Sequence, residues 1–289
     1  MKLAATSEGE LEKLYDGLAR FQWWRRRLTG AVAGQELEMH KRLLAPSGEG
    51  PGAGTAAVNE WLWDRLKPAA DLRALDIGCG FGASLFSLAE HAPAARLEGL
   101  SLSGYQVQVA NREAARRSLG SRVQLYKQSF DSDLEPAAFD LVLSIETLFH
   151  SPDLARTLSN LAGALAPEGR LVLLEDMARD ATVVDSEGAR ELLRLWSTRA
   201  LHTQEDYTGG LERAGLRVIE SLDLSAQVPF RSATKLADDS RRLRRTRGLL
   251  PTQGLRRMLD AFLGGLHLER LYADGRMSYR CLIASAEDD

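Results

Sequence analysis

Residues 74–82 read "ALDIGCGFG": an apolar run closing on Asp76, then glycines at 78, 80 and 82. A short buried strand breaking into such a turn places flexible backbone at the carboxyl edge of a sheet. A ligand can approach closely there because no side chain intervenes. A helix starting near Ala83 would aim its unpaired N–H groups at the same point. Glycine spacing alone is a weak sign, because dinucleotide sites use a close relative of it. Here the third glycine follows the second by two residues rather than three, and position 83 is alanine. Asp76 is more telling. A carboxylate two residues before the first glycine repels a pyrophosphate but can orient a cationic group. The stretch therefore predicts a nucleotide-like cofactor site, with a purely structural glycine turn as the alternative.

Working outward, short apolar strands alternate with helices. "RALDI" is followed by helix "ASLFSLAEHA", strand "ARLEGLSLS", helix "GYQVQVANREAARRSLG" and strands "RVQLYKQSF" and "FDLVLSIET". Helix "DLARTLSNLAGALAPEG" and strand "RLVLLEDM" come next, then the helix–strand unit "LERAGLRVIESLDLS" and the strand "MSYRCLIASA". This alternation with short turns predicts an α/β fold, a parallel sheet covered by helices on both faces and completed by an edge hairpin. Before it, "SEGELEKLYDGL" opens with a possible capping box (Ser7, Glu10) and has apolar residues at helical spacing. "GQELEMHKRLL" is a second helical candidate, and "APSGEGPGAGTAAV" is a loop.

Composition removes several function classes. The net charge of -3 provides no overall basic footprint for nucleic acid. No stretch approaches 18 uncharged apolar residues, so no membrane span is expected. The opening residues lack a signal-peptide core, which makes a cytoplasmic protein the expectation. The two cysteines, Cys79 and Cys281, form neither a disulfide framework nor a metal-ligand cluster, and no metal site is expected.

"LDIGCGFG" resembles the first motif of the class I S-adenosylmethionine-dependent methyltransferases, and "FDLVLSIETLFH" and "LAPEGRLVLLEDM" resemble later ones. The resemblance covers residues 60–180 well and the final strand pair more loosely. It implies a Rossmann-like seven-stranded sheet with S-adenosylmethionine as cofactor and S-adenosylhomocysteine as product. Asp76, Gly78, Cys79 and Gly80 would cradle the methionine part. Residues 98–103, "EGLSLS", depart from the commoner form, in which a carboxylate near Leu100 or Ser101 holds the ribose. They are similar instead to a small-molecule subgroup that includes tocopherol, cyclopropane-fatty-acid and sugar O-methyltransferase-like enzymes. That likeness puts Ser101, Leu102 and Gln106 near the ribose and adenine, where hydroxyl and amide groups can serve. Ser103 caps the next helix. Gln128, Ser129 and Phe130 would meet the adenine, although Phe130 could equally be core. Tyr15 in "LYDGLA" resembles a helix closing over the cofactor, or else fills an apolar face.

A sulfonium methyl group needs an aligned nucleophile and a place for one proton. His150 ends "IETLFH" at the carboxyl edge. The resemblance to sugar O-methyltransferase-like relatives makes it the candidate base, with Asp176 orienting it or binding substrate; an ordinary loop histidine is the alternative. Glu146 resembles a glutamate that stabilises positive charge in prenyl diphosphate C-methyltransferases, and it is also expected beside the cofactor. Trp23, Trp24, Phe149 and Trp196 could supply an apolar substrate pocket. His40 falls where relatives carry a histidine, though on a poor alignment.

Residues 231–257 hold eight arginines and one lysine against Asp238 and Asp239. A solvated helix face is the plain account, and Arg231 and Arg241 closing over an anionic substrate is the other. By the resemblance the chain divides into an N-terminal helical cap (1–50), a cofactor-binding core (51–180), a helical lid segment (181–208), a core helix–strand unit (209–230), a basic helical lid insert (231–270) and a terminal core strand (271–289). The leading expectation is O-methylation of a small, partly hydrophobic natural product. C-methylation of an isoprenoid or prenyl diphosphate alkene is the alternative, and a catalytically idle S-adenosylmethionine-binding protein is a third. The partner is a small-molecule acceptor, with no nucleic acid; a homodimer stays open.

Overall fold

The computed structural model describes residues 8–29, 41, 43–44, 56–198 and 200–286, with the side chains of 8 and 22–29 outside the description. Among the described residues two helices, α1 (Glu8–Thr29) and α2 (Ala56–Leu66), precede the sheet. Then follow β1 (Arg73–Ile77), α3 (Ala83–His91), β2 (Arg96–Ser101), α4 (Gly104–Arg116), β3 (Val123–Lys127), β4 (Phe139–Ile145), α5 (Leu154–Ala164) and β5 (Leu165–Ala178). The remainder comprises α6 (Ala181–Val184), α7 (Glu187–Trp196), α8 (Gln204–Arg213), β6 (Leu216–Asp223), α9 (Ala233–Leu249), α10 (Gln253–Ala273) and β7 (Met277–Ala286).

The strands form one seven-stranded sheet in the order β3-β2-β1-β4-β5-β7-β6. β1 to β5 are parallel, and β7 runs antiparallel to both β5 and β6. Strand order reverses between β1 and β4, and the crevice at their carboxyl ends is where open α/β sheets bind ligands. Alternation along each strand sends successive side chains to opposite faces. Leu141, Leu143, Val172 and Leu174 join the core beneath α2, α3, α7 and α10. Val142, Leu171 and Leu173 join the core beneath α5 and α8. Each such leucine, fully out of water, contributes about 1.5–3 kcal/mol of burial, and the sheet's two apolar faces hold both helical layers.

Three boundaries differ from the sequence expectation. α5 stops at Ala164 and β5 begins at once, with a register irregularity opposite Phe139 and Leu141. Gly169 sits in that irregularity, where a Cβ would come within 2.7 Å of the Phe139 carbonyl oxygen. α8 starts at Gln204, within the stretch expected as lid, and its capping box (Thr203, Asp206) and packing on α5 and β6 make it part of the sheet's cover. Of the candidate helix "GQELEMHKRLL", only Lys41, Leu43 and Leu44 are described, and they are not helical. No helix among the described residues is long and apolar enough to cross a membrane.

Candidate active site

The glycine turn after β1 is fixed from two sides. Cys79 N–H donates to the Leu100 carbonyl (2.9 Å), tying the turn to the end of β2. Gly78 adopts φ +69°, and any Cβ there would overlap the Thr147 side chain. This glycine is therefore required by the loop after β4 as much as by any ligand. Asp76 is 3 % exposed at the foot of the turn, and burial pushes its pKa up to about 8. Among the described residues no cation stands beside it to hold it charged.

A cavity of 330 Å³ lies over this turn, at the carboxyl ends of β1, β2 and β4. Asp76, Gly78, Cys79, Gly80, Ser101, Leu102, Gln106, Gln128, Phe130 and Glu146 all line it, as do Tyr15, Phe149, His150 and Trp196. Ser101 donates to Gln106 Oε1 (2.7 Å), so the two polar residues at the end of β2 orient each other. Ser103 caps α4 by accepting from Gln106 N–H (3.2 Å) and donates to Asp16, which also accepts from Tyr105 N–H (3.2 Å). That hydrogen-bonded node fastens α1 over the cavity, and Lys127–Glu12 (2.6 Å) adds an exposed ion pair. Ser129 does not line the cavity; its hydroxyl accepts from Asp131 N–H (3.3 Å). Phe130 does both jobs open to it, packing in the core and lining the cavity.

Residues 146–150 turn sharply beyond β4. Glu146 has φ +52°, a left-handed conformation that carries strain for a residue with a Cβ. The turn is held by Glu175, wholly buried on β5, whose carboxylate accepts from Ser144 Oγ (2.6 Å), Thr147 N–H (3.0 Å) and Leu148 N–H (3.2 Å). Burial pushes the Glu175 pKa up to about 7 against the pull of those donors. Sequence reasoning passed over Glu175. Its signal was an acid inside the apolar run "LVLLEDM", where a buried charge needs donors.

His150 ends the turn. Its Nε2 is hydrogen-bonded to the Tyr15 hydroxyl, and its Nδ1 has no partner among the described residues. Burial pushes its pKa down to about 3, so the imidazole is neutral. The two rings meet edge to face at 5.2 Å, and Phe149 flanks the imidazole at 4.2 Å. Asp176 is bonded elsewhere. It accepts from Lys41 Nζ (2.6 Å) and from the Tyr272 hydroxyl, and Lys41 Nζ also lies 3.3 Å from Glu146 Oε2. Glu146 Oε1 accepts from Lys41 N–H (2.7 Å) and Tyr279 Oη (3.0 Å). Lys41 thus neutralises two carboxylates. Burial lowers its pKa, but the Asp176 and Glu146 charges outweigh that and leave it raised. The node lies on segment 41–44, which Leu44 N–H fastens to the Gln227 carbonyl (2.6 Å).

A second cavity of 940 Å³ adjoins the first, sharing Glu146, Trp196, Ala261 and Phe262 as wall. It lies between α9 and α10 and is mainly apolar, with Lys41 and Glu146 at its inner end. Arg231 lines it, paired with Glu269 (3.6 Å) and Asp239 (3.7 Å). Arg241 does not: it pairs with Asp238 (3.1 Å), and its neighbour Arg242, one helical step round, takes the lining position. Arg244, Arg247 and Arg257 of the basic stretch pair with Glu191, Asp260 and Glu10. The Trp23 and Trp24 side chains and His40 lie outside the described residues.

The sheet order, the glycine turn and the cavity above it define a Rossmann-like class I methyltransferase fold. Residues 75–173 match a family described as a methyltransferase domain. The chain is 29% identical to the methyltransferase GfsG of Streptomyces halstedii over 176 residues, 59% of this chain and 62% of that one. It is 32% identical to the 27-O-demethylrifamycin SV methyltransferase of Amycolatopsis mediterranei over 185 residues, 61% of this chain and 66% of that one. These matches span about six-tenths of the relatives' length. Geranyl diphosphate C-methyltransferase from Streptomyces coelicolor A3(2), crystallised with Mg2+, geranyl diphosphate and S-adenosyl-L-homocysteine, superposes with TM-score 0.68 at 20% identity over 95% of this chain and 98% of that one. Residues 75–173 therefore form a methyltransferase domain, set in the fold of the class I S-adenosylmethionine-dependent methyltransferases. The cavity fits their cofactor: Asp76 is a desolvated carboxyl suited to an ammonium group, and Ser101 and Gln106 offer groups for ribose hydroxyls.

Proposed function

We propose that the chain transfers the methyl group of S-adenosylmethionine to a hydroxyl of a hydrophobic natural product. The bound cofactor would supply an electrophilic methyl on its sulfonium. Asp76 would hold the ammonium end, with Ser101, Leu102, Gln106 and Gln128 along the nucleoside and Phe130 beside it. The observation that carries the reading is His150, neutral and desolvated in the cavity wall, with Nε2 on the hydroxyl of Tyr15, which lines the same cavity. With the acceptor's hydroxyl in place of Tyr15's on Nε2, a neutral imidazole there can take its proton as the oxygen is alkylated. Similarity to the 27-O-demethylrifamycin SV methyltransferase supports oxygen as the nucleophile.

Alkene C-methylation would draw on a Glu146 carboxylate free to face a carbocation. In this chain Lys41 and Tyr279 already occupy it, which favours the O-methyl reading. The test is S-adenosylhomocysteine formation with a panel of hydroxylated polyketides and a panel of prenyl diphosphates. His150→Ala should lower kcat/KM on the hydroxylated acceptor about 100-fold or more, with S-adenosylhomocysteine affinity kept. An unchanged rate removes His150 as the base. Tight cofactor binding without product on either panel would favour an idle binding protein.

A further inference from the structure

The wall between the two cavities is built around one indole. Trp196 is the last residue of α7, and Ser197 after it turns left-handed (φ +54°), so the helix ends with the indole projecting from its tip. Its Nε1–H donates to the Ala261 carbonyl of α10 (3.0 Å), and its ring lies 5.1 Å from Phe149, which flanks His150. Trp196 lines both cavities. One turn along α10, Gly264 lies under the indole, where a Cβ would overlap Cδ1 and Nε1. Gly264 has no positive φ that would demand glycine; it sits mid-helix, where alanine is ordinarily the better residue. Its missing side chain therefore serves the seat of Trp196. α7 is clamped against α10 by a second contact, His267 Nε2 with the Gly188 carbonyl (2.9 Å), so the pair cannot easily slide to relieve an added atom.

The cavities differ in size and position, and the lining of both is mainly apolar. The inner one, 330 Å³, carries the polar residues of the glycine turn. The outer one, 940 Å³, is near the upper end of ordinary small-molecule sites and is walled by Val228, Pro229, Phe230, Leu243 and Met258, with Arg231, Asp239, Arg242 and Glu269 as its charged part. We infer that Trp196, seated on Gly264, is the specificity-determining residue between them. The acceptor is a bulky, mainly apolar molecule whose body stays in the outer chamber while one hydroxyl passes the indole to His150. This rests on the methyltransferase reading for its chemistry but not for its geometry. The indole's position sets how far the acceptor's body advances. It thereby selects hydroxyls on a protruding edge over those packed against the acceptor's bulk.

The experiment uses the full chain with S-adenosylhomocysteine bound, a hydroxylated macrolactone as the bulky probe and catechol as the compact one. Calorimetry reads probe binding without requiring turnover. Gly264→Ala forces the indole into the passage and should weaken macrolactone binding at least tenfold, while S-adenosylhomocysteine and catechol bind as before. Trp196→Ala removes Cγ, Cδ1 and Nε1, the atoms that the new Cβ meets, so the double variant Trp196→Ala/Gly264→Ala should recover macrolactone binding. That recovery separates a shifted gate from general damage to the fold. Methyl transfer from labelled S-adenosylmethionine should follow the same order. The inference is overturned if the unaltered chain does not bind the macrolactone, if Gly264→Ala binds it unchanged, or if the double variant stays as weak as Gly264→Ala. Binding shifts of the expected kind without product from any probe would support the gate and count against the methyltransferase reading.

Discussion

The Tyr15 hydroxyl lies on Nε2 of His150, joining α1 to the end of β4 across the cavity. Tyr15 keeps its proton, since burial raises its pKa well above the ordinary value. His150 is pushed down to about 3, below the 6.5 of an imidazole in the unfolded chain. As pH falls through that window the unfolded chain takes up the proton first, so this group's stabilising contribution is full above about 6.5 and is lost toward 3. His150→Gln should therefore flatten part of the fall in denaturation midpoint between pH 7 and 4. Parallel curves for the two proteins would contradict the desolvated imidazole.

Asp76 has the opposite sign. Its folded pKa of about 8 stands above the unfolded 3.8, so the folded chain without cofactor keeps this carboxyl protonated near neutrality. An ammonium brought against it restores the carboxylate. S-adenosylhomocysteine binding at pH 6.5 should release about one proton from this site, read by calorimetry in buffers of different ionisation enthalpy. Asp76→Asn should bind more weakly and release none.

Glu175 holds the strained turn at Glu146 with three donors. Glu175→Gln must turn an N–H2 toward groups that are themselves donors, leaving at least one buried N–H unmatched. The expected cost is about 1–3 kcal/mol in chemical denaturation, with turnover falling more than cofactor affinity. A loss of stability with turnover intact would confine Glu175 to the fold.

Lys41 is the counter-charge for Glu146 and Asp176. Lys41→Met leaves two near-buried carboxylates facing each other, at a cost of about 3 kcal/mol. The double variant Lys41→Met/Asp176→Asn should be less destabilised than Lys41→Met alone, because a single anion then remains. Additive losses would show that the pair is screened by solvent.

The strands and the glycine turn were legible because they depend on neighbours in sequence: apolar alternation, φ freedom and a capping serine are local properties. The cavity residues at the ends of β1, β2 and β4 were expected from the family resemblance that those local motifs carry. The polar network was not legible, because its partners are far apart along the chain. Lys41 meets Asp176 across 135 positions, and Tyr15 meets His150 across the same span. Asp176 was expected to orient His150 or to bind substrate; in this chain it bonds Lys41 and Tyr272 rather than His150. Strand parity explains the split between neighbours: Glu175 turns to Ser144 on β4, while Asp176 turns to Tyr272 on α10. Besides Arg231, the arginine in the lining is Arg242 rather than the expected Arg241, since one residue along a helix is a rotation of about 100°. The expected lid at 181–208 contains the start of α8, whose packing on α5 could not be read from its own residues.

β7 is drawn last among the strands yet lies inside the sheet, between β5 and β6. During synthesis β5 therefore waits with one open edge, and β6 has no partner strand until residues 277–286 have left the ribosome. The two cores on the sheet's faces cannot close before that moment. Until then the nascent chain presents strand edges of the kind that recruit other chains. Shelter for those edges is needed through the synthesis of α9 and α10, the two helices that separate β6 from β7.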